Sequence, residues 1–287
     1  MLKTFLIAFV FIVMNTAQVF AAEKILFIPH DDRPVSYQQP VEVVSQLGYK
    51  IISPPPELLN QPDELWAWLN ENAPSANAAV ISSDALLYGG LIPSRSHMIS
   101  DDELNTRVEK FKSLRKNNPY LKLYVFGSLM RTPKVGTPGD IEEPDYYGQY
   151  GGQIFQLTAL MDKQETEELS RKEETYLDEL EKDIPDEVLD DYFARRLKNF
   201  LATTKLLDFT ADGLIDYFVI GRDDNAPLCQ THRENRHLLT YMENIGVGKD
   251  KAQSHVGIDE YAMLLLTRAV NDLSGTLPLV NVQFNRG

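Results

Sequence analysis

Leu214–Pro227 reads LIDYFVIGRDDNAP. Behind Asp216 comes an apolar run, Tyr217, Phe218, Val219 and Ile220, which meets Gly221 and then Arg222, Asp223 and Asp224. A short run rich in β-branched and aromatic residues, closed by Gly and Pro, is the pattern of a strand buried on both faces, as in parallel sheets. Its charges come where the strand ends.

The same arrangement recurs on both sides of this stretch. Lys24–Pro34 (KILFIPHDDRP) ends in His30, Asp31, Asp32 and Arg33, and Asn77–Leu91 (NAAVISSDALLYGGL) ends in Asp84, Tyr88 and a Gly pair, with Arg95 shortly after. Lys122–Pro133 closes on Arg131, and Ser254–Glu260 (SHVGIDE) closes on Asp259 and Glu260. Between the strands lie amphipathic segments at helical spacing: Val41–Leu47, Pro62–Asn70, Asp102–Lys116 and Tyr261–Val270. Strands alternating with helices predict an α/β fold with a mostly parallel sheet, a (β/α) barrel-like domain, with an open doubly wound sheet as the alternative. Leu277–Phe284 is expected as a seventh strand ending in Asn285. A barrel needs an eighth, so a closed fold implies a shortened form of something longer.

In either architecture, function gathers at the carboxyl ends of the strands. Single Asp, Asn or Gly residues there also serve as turns and helix caps, but two adjacent Asp pairs and one Asp-Glu pair exceed what capping requires. The residues 136–152, rich in Gly, Pro and Tyr, read as a rim loop or lid. About 153–208 reads as an inserted helical hairpin, strongly charged in its first arm. Trp66 and Trp68 are expected in the core rather than as a sugar platform.

Met1–Ala21 has Lys3, an apolar stretch from Phe5 to Met14, and small residues at a cleavage point, the pattern of an export signal. No Arg pair precedes the apolar run, which favours the general secretory route, and the run is shorter than a bilayer span. Residues 22–287 are expected as one domain in the periplasm or outside the cell, with no stable membrane insertion. The composition, 43% hydrophobic and 24% charged, is that of a soluble globular protein. A formal net charge of −14 with no basic stripe excludes nucleic acid as a partner. The single Cys229 permits no internal disulfide and lacks evident His and Asn partners for a nucleophile's role.

Taken together, DDRPVS, SSDALLYGGLIPSR, MRTP, GRDDNAP and GIDEYAMLLLTRA resemble a family of exported bacterial proteins known as a domain of unknown function. The resemblance spans the mature chain. Its members are longer, which implies that this chain is the N-terminal portion, and it implies no activity and no site residues.

The residues themselves point first to an exported glycosidase-type hydrolase acting on a carbohydrate or cell-wall polymer. Such chemistry uses two carboxyl groups, one protonated and one ionised, and an adjacent pair helps because like charges separate their pKa values. Asp223 and Asp224 are the leading acid and nucleophile or base, with Asp259 and Glu260 as the other pair. Asp31, Asp32, Arg33, Asp84, Tyr88, Arg95, Arg131, Arg222 and Asn285 would bind substrate, and no cofactor is required. An alternative is a divalent-metal hydrolase whose cation is held by Asp31, Asp32, Asp84, Asp223, Asp224 and Asp259, with His30 or His255 shifting the preference toward a transition metal. The rim could also bind carbohydrate without cleaving it.

Overall fold

A computed structural model describes residues 22–224 and 226–277. The expected export signal, the seventh strand beyond Leu277 and Asn285 lie outside the described residues.

Six strands form the sheet: β1 Lys24–Ile28, β2 Lys50–Ile52, β3 Ala78–Ser82, β4 Lys122–Leu129, β5 Tyr217–Arg222 and β6 Ala252–Val256. All pair in parallel, in the order β2-β1-β3-β4-β5-β6. The barrel expectation is therefore corrected. Among the described residues β2 and β6 are the edges, and the sheet is open.

Helices lie on both faces, where a barrel would carry them only outside. Alternate residues of each strand feed two cores. Ile25 and Phe27, Ala78 and Val80, Tyr124 and Phe126, and Tyr217 and Val219 pack against α1 (Gln38–Ser45) and Tyr261–Ser274. Leu26 and Ile28, Ala79 and Ile81, Leu123 and Val125, and Phe218 and Ile220 pack against α2 (Pro62–Asn72), α3 (Ser83–Tyr88), Asp101–Asn117 and two later helices. Burial on both faces is why the strands read as continuous apolar runs rather than alternating ones. Trp66 is buried edge-on against Phe111, and Trp68 packs on the same core.

The chain runs from β1 outward to β2 and then crosses to β3 on β1's other side, so the direction of winding reverses between β1 and β3. Crevices at such a switch point are where open α/β sheets place their sites. Two short helices fill the segment after β3 that reads as a glycine-rich loop: α3, and α4 (Pro93–Ser96). Ser82 caps α3 by accepting from the Ala85 N–H, and Gly89 ends it with φ +94°. Helix α5 (Asp101–Asn117) follows, opened by the Ser100 hydroxyl.

The insertion is three helices rather than a hairpin: α6 Tyr147–Gln164, α7 Arg171–Asp183 and α8 Asp186–Ala211. They share a small core of Tyr147, Ile154, Leu157, Leu180, Ile184, Val188 and Tyr192. The far half of α8, with Ala202, Leu206, Leu207 and Phe209, enters the main core and roots the insertion there. Tyr147, from the tyrosine-rich segment that reads as a rim loop, is thus a core residue. The last elements are α9 (Gln230–Asn244), which covers the segment from Met242 that reads as a loop, and α10 (Tyr261–Ser274).

Candidate functional site

Beyond Ile28 the β1 strand gives way to a turn that carries His30, Asp31, Asp32 and Arg33. Arg33 folds back on Asp31: its backbone N–H donates to Asp31 Oδ1 at 3.1 Å and its Nε to Asp31 Oδ2 at 2.8 Å. Arg33 Nη2 also reaches Asp259 Oδ1 at 2.6 Å, joining the end of β1 to the segment after β6. His30, buried beneath, has Nε2 3.1 Å from Ser36 Oγ and 3.2 Å from Asp31 Oδ2. Partial burial pushes the Asp31 carboxyl up, but the bonds from His30 and Arg33 outweigh it and hold Asp31 well below the usual carboxylate range.

The opposite wall belongs to α4 and to the segments after β4 and β5. Arg95 is 3% exposed, and its two terminal nitrogens donate to Glu142 Oε2 at 2.9 Å and Asp223 Oδ2 at 3.1 Å. Arg131 bonds Glu143 through Nε at 2.5 Å and the same Glu142 Oε2 through Nη2 at 3.0 Å. Burial raises Glu143, opposed by Arg131. Between the walls lies a cleft of about 260 Å³ lined by Asp31, Arg33, Arg95, Arg131, Glu142, Asp223 and Asp259, with Leu91, Ile92 and Ile258 as its apolar part. Gly90 allows the close approach: at φ +130° its backbone lies where a Cβ would come within 3.1 Å of the His30 carbonyl. A larger hollow of about 470 Å³ between β5, β6 and α10 holds none of the expected catalytic or substrate-binding residues, only His255 of the cation alternative.

The structure brings together Asp31, Arg33, Arg95, Arg131, Asp223 and Asp259, and separates the rest. Asp84 is buried under the rim, accepting from Ser128 N at 3.3 Å and Ser128 Oγ at 2.7 Å. Burial raises its pKa to about 6, with the Ser128 bonds, His30 and Arg95 pulling the other way. Tyr88 is buried and stacked on His97, with ring centroids 4.8 Å apart. Asp32 is exposed and does not line the cleft. Arg222 is half-buried with its Nε unpartnered, also away from the cleft.

The leading pair is split. Asp223 faces the cleft, whereas Asp224 accepts from Thr132 N at 2.5 Å and Thr231 Oγ1 at 3.1 Å and pins the end of β4 to α9. Glu260 is exposed at the head of α10, its carbonyl accepting from the Leu264 N–H, so the second pair is also divided. The carboxylates that the cation alternative needs do not meet: among the described residues no three His, Cys, Asp or Glu side chains gather as a metal set. His255 is exposed and bonded to Gln253.

Three contributors escape the strand-end pattern. Glu142 and Glu143 come from the Gly- and Pro-rich segment that reads as a lid, and only their pairing with Arg131 shows their part. Arg196 of α8 is buried and bonds Glu234 of α9 at 2.6 and 2.9 Å, the Met130 carbonyl at 2.8 Å and the Arg131 carbonyl at 3.1 Å. It fixes the backbone from which Arg131 projects. Its one sequence signal is an arginine on the apolar side of an amphipathic helix.

Fold and cleft define the class: an open, all-parallel α/β protein with a charged cleft at the switch point of its sheet. The chain belongs to the family described as "Protein of unknown function (DUF4127)", whose model it matches over residues 25–287. No curated protein and no solved structure matches it.

Proposed function

We propose that this protein is an exported hydrolase of glycosidase type, acting on a carbohydrate or cell-wall polymer in the cleft between β1 and β3. One observation carries the reading: Asp31 Oδ2 and Asp259 Oδ1 hang on the same Arg33 nitrogen, at 2.7 and 2.6 Å. Two hydrogen bonds from one planar nitrogen diverge, so the oxygens lie closer than those lengths laid end to end, a spacing nearer the roughly 5–5.5 Å of a retaining pair than the roughly 6.5–9.5 Å of an inverting one. Asp31, kept ionised by His30 and Arg33, is the nucleophile or base. Asp259, on a half-exposed side chain, is the proton donor. When the Arg33 fork turns to sugar hydroxyls, Asp259 takes a proton from solvent and passes it to the leaving-group oxygen, while His30 continues to hold Asp31. Asp223 and Arg95 orient the sugar. Export rests on the Met1–Ala21 pattern alone, and fractionation of the cells that make the protein tests it.

An array of glycosides and glycan polymers tests the chemistry. Asp31→Asn and Asp259→Asn are each expected to lose roughly 10²–10⁴-fold in kcat, while Glu260→Gln cleaves at the wild-type rate. Binding without cleavage by the wild type would leave a carbohydrate-binding role. Activity lost to EDTA and restored by a divalent cation would favour the metal-dependent alternative instead.

A further inference from the structure

Glu142 occupies a position made for someone else's anion. Its single Oε2 atom is shared by Arg95 Nη1 at 2.9 Å and Arg131 Nη2 at 3.0 Å, two guanidinium groups delivered by separate elements. Arg95 is 3% exposed, so its charge requires an anionic neighbour on each terminal nitrogen. Asp223 supplies one. The other comes from Glu142, a 40% exposed side chain on the segment joining β4 to α6, whose other local tie is its own N–H to Asp140 Oδ1 at 2.9 Å. Arg131 does not depend on it, since Glu143 holds the Arg131 Nε. Of the four carboxylates in the cleft, Glu142 is thus the one whose departure leaves two arginine forks facing an open space and no buried acid abandoned.

We propose that this arginine pair is a subsite for the carboxylate of an acidic sugar, a uronate, and that Glu142 closes it until the substrate displaces it. The assignment rests on the carbohydrate reading above and names its substrate class. A planar carboxylate fits between the two guanidinium groups, with Arg95 Nη1 and Arg131 Nη2 turned to it while Asp223 and Glu143 hold their other nitrogens. Charge favours a monoanion. Withdrawal of Glu142 takes one negative charge from the cleft and a monoanion restores it, whereas a phosphate dianion adds a second that faces Asp223.

Calorimetric titration of the full chain at pH 7 and low salt, using D-galacturonate, D-galactose and inorganic phosphate, tests the subsite without requiring turnover. Glu142→Gln is expected to bind galacturonate on the order of tenfold more tightly than wild type, because one charged competitor for two arginines is gone. Galactose affinity stays the same in both. The double variant Glu142→Gln/Arg131→Gln loses the gain, and because Arg131 is part-exposed it avoids stranding the buried Arg95 alone. Equal galacturonate affinity in wild type and Glu142→Gln overturns the proposal, as does retention of the gain in the double variant. Phosphate binding more tightly than galacturonate overturns the choice of carboxylate. Should both sugars bind equally to Glu142→Gln, the subsite fails while the carbohydrate reading stands; should neither bind, both fail.

Discussion

Asp84→Asn separates a buried structural acid from a working one. The Asp84 carboxyl has no solvent contact, and burial takes its pKa from 3.8 to about 6. An acid whose pKa is higher in the folded than in the unfolded chain binds its proton more tightly when folded. The linkage therefore runs downward with pH: stability is greatest below about 4, falls as pH rises through the window to about 6, and stays lower above it. A change from 3.8 to about 6 corresponds to about 3 kcal/mol of lost stability at pH 7.5. Asparagine keeps the shape, accepts from Ser128 N through its oxygen and donates to Ser128 Oγ through its amide, without a charge to bury. The variant should gain up to about 3 kcal/mol at pH 7.5 and nothing at pH 4. At about 2–4 °C per kcal/mol for a domain of this size, Tm rises by roughly 6–12 °C at the higher pH. Thermal or urea unfolding of both proteins from pH 4 to 8 measures it. A variant less stable than wild type at pH 7.5, with a smaller deficit at pH 4, would refute the reasoning, because the ionised form would then be the one the structure favours.

Other perturbations read other parts of the molecule. Arg196→Met leaves Glu234 buried beside the Met130 and Arg131 carbonyls, so it should cost about 3–5 kcal/mol in urea unfolding, and adding Glu234→Leu should recover a large part of that. Asp224→Asn weakens the tie from Thr132 N and Thr231 Oγ1 and should lower stability by about 1–3 kcal/mol, whereas Asp223→Asn, on the cleft, should change ligand affinity as well as lower the unfolding midpoint, because it takes an anion from the buried Arg95. Burial pushes the Cys229 thiol up to about 11, so a thiol-exchange reagent at pH 8 should label it only after unfolding, and fast absorbance change on the native protein would contradict this.

Much of the fold is written in the strand runs. Ile25–Ile28, Ala78–Ser82 and Tyr217–Ile220 are buried on both faces, and no other local structure explains apolar runs so short and so closely bounded. What those runs do not carry is strand order. A barrel and an open sheet demand the same local pattern, and the difference lies in α1 and α10 packing on one face while α2, α3, α5, α8 and α9 take the other. Helix α3 is equally hidden, because it is only six residues long, buried throughout, and followed by the Gly pair of a loop. At the site, the expectation that distant acids meet holds for Asp31, Asp223 and Asp259. It fails for Asp224 and Glu260 for a geometric reason: side chains next to each other in sequence leave the backbone in different directions, so an acidic doublet seldom serves one pocket with both members. Asp84 fails differently, as the first turn of α3 carries it under the rim.

The bond from Arg33 to Asp259 joins positions 226 residues apart. Asp259 follows β6, an edge strand, and Arg33 follows β1 on the far side of β3, β4 and β5. Closing a loop that long costs entropy that no local contact offsets, so one jaw of the cleft is assembled only after β6 has docked. A folding intermediate with β1 to β5 in place holds Arg95, Arg131 and Asp223 in position yet lacks Asp259, and the Arg33–Asp259 bond becomes a report on the docking of a single peripheral strand.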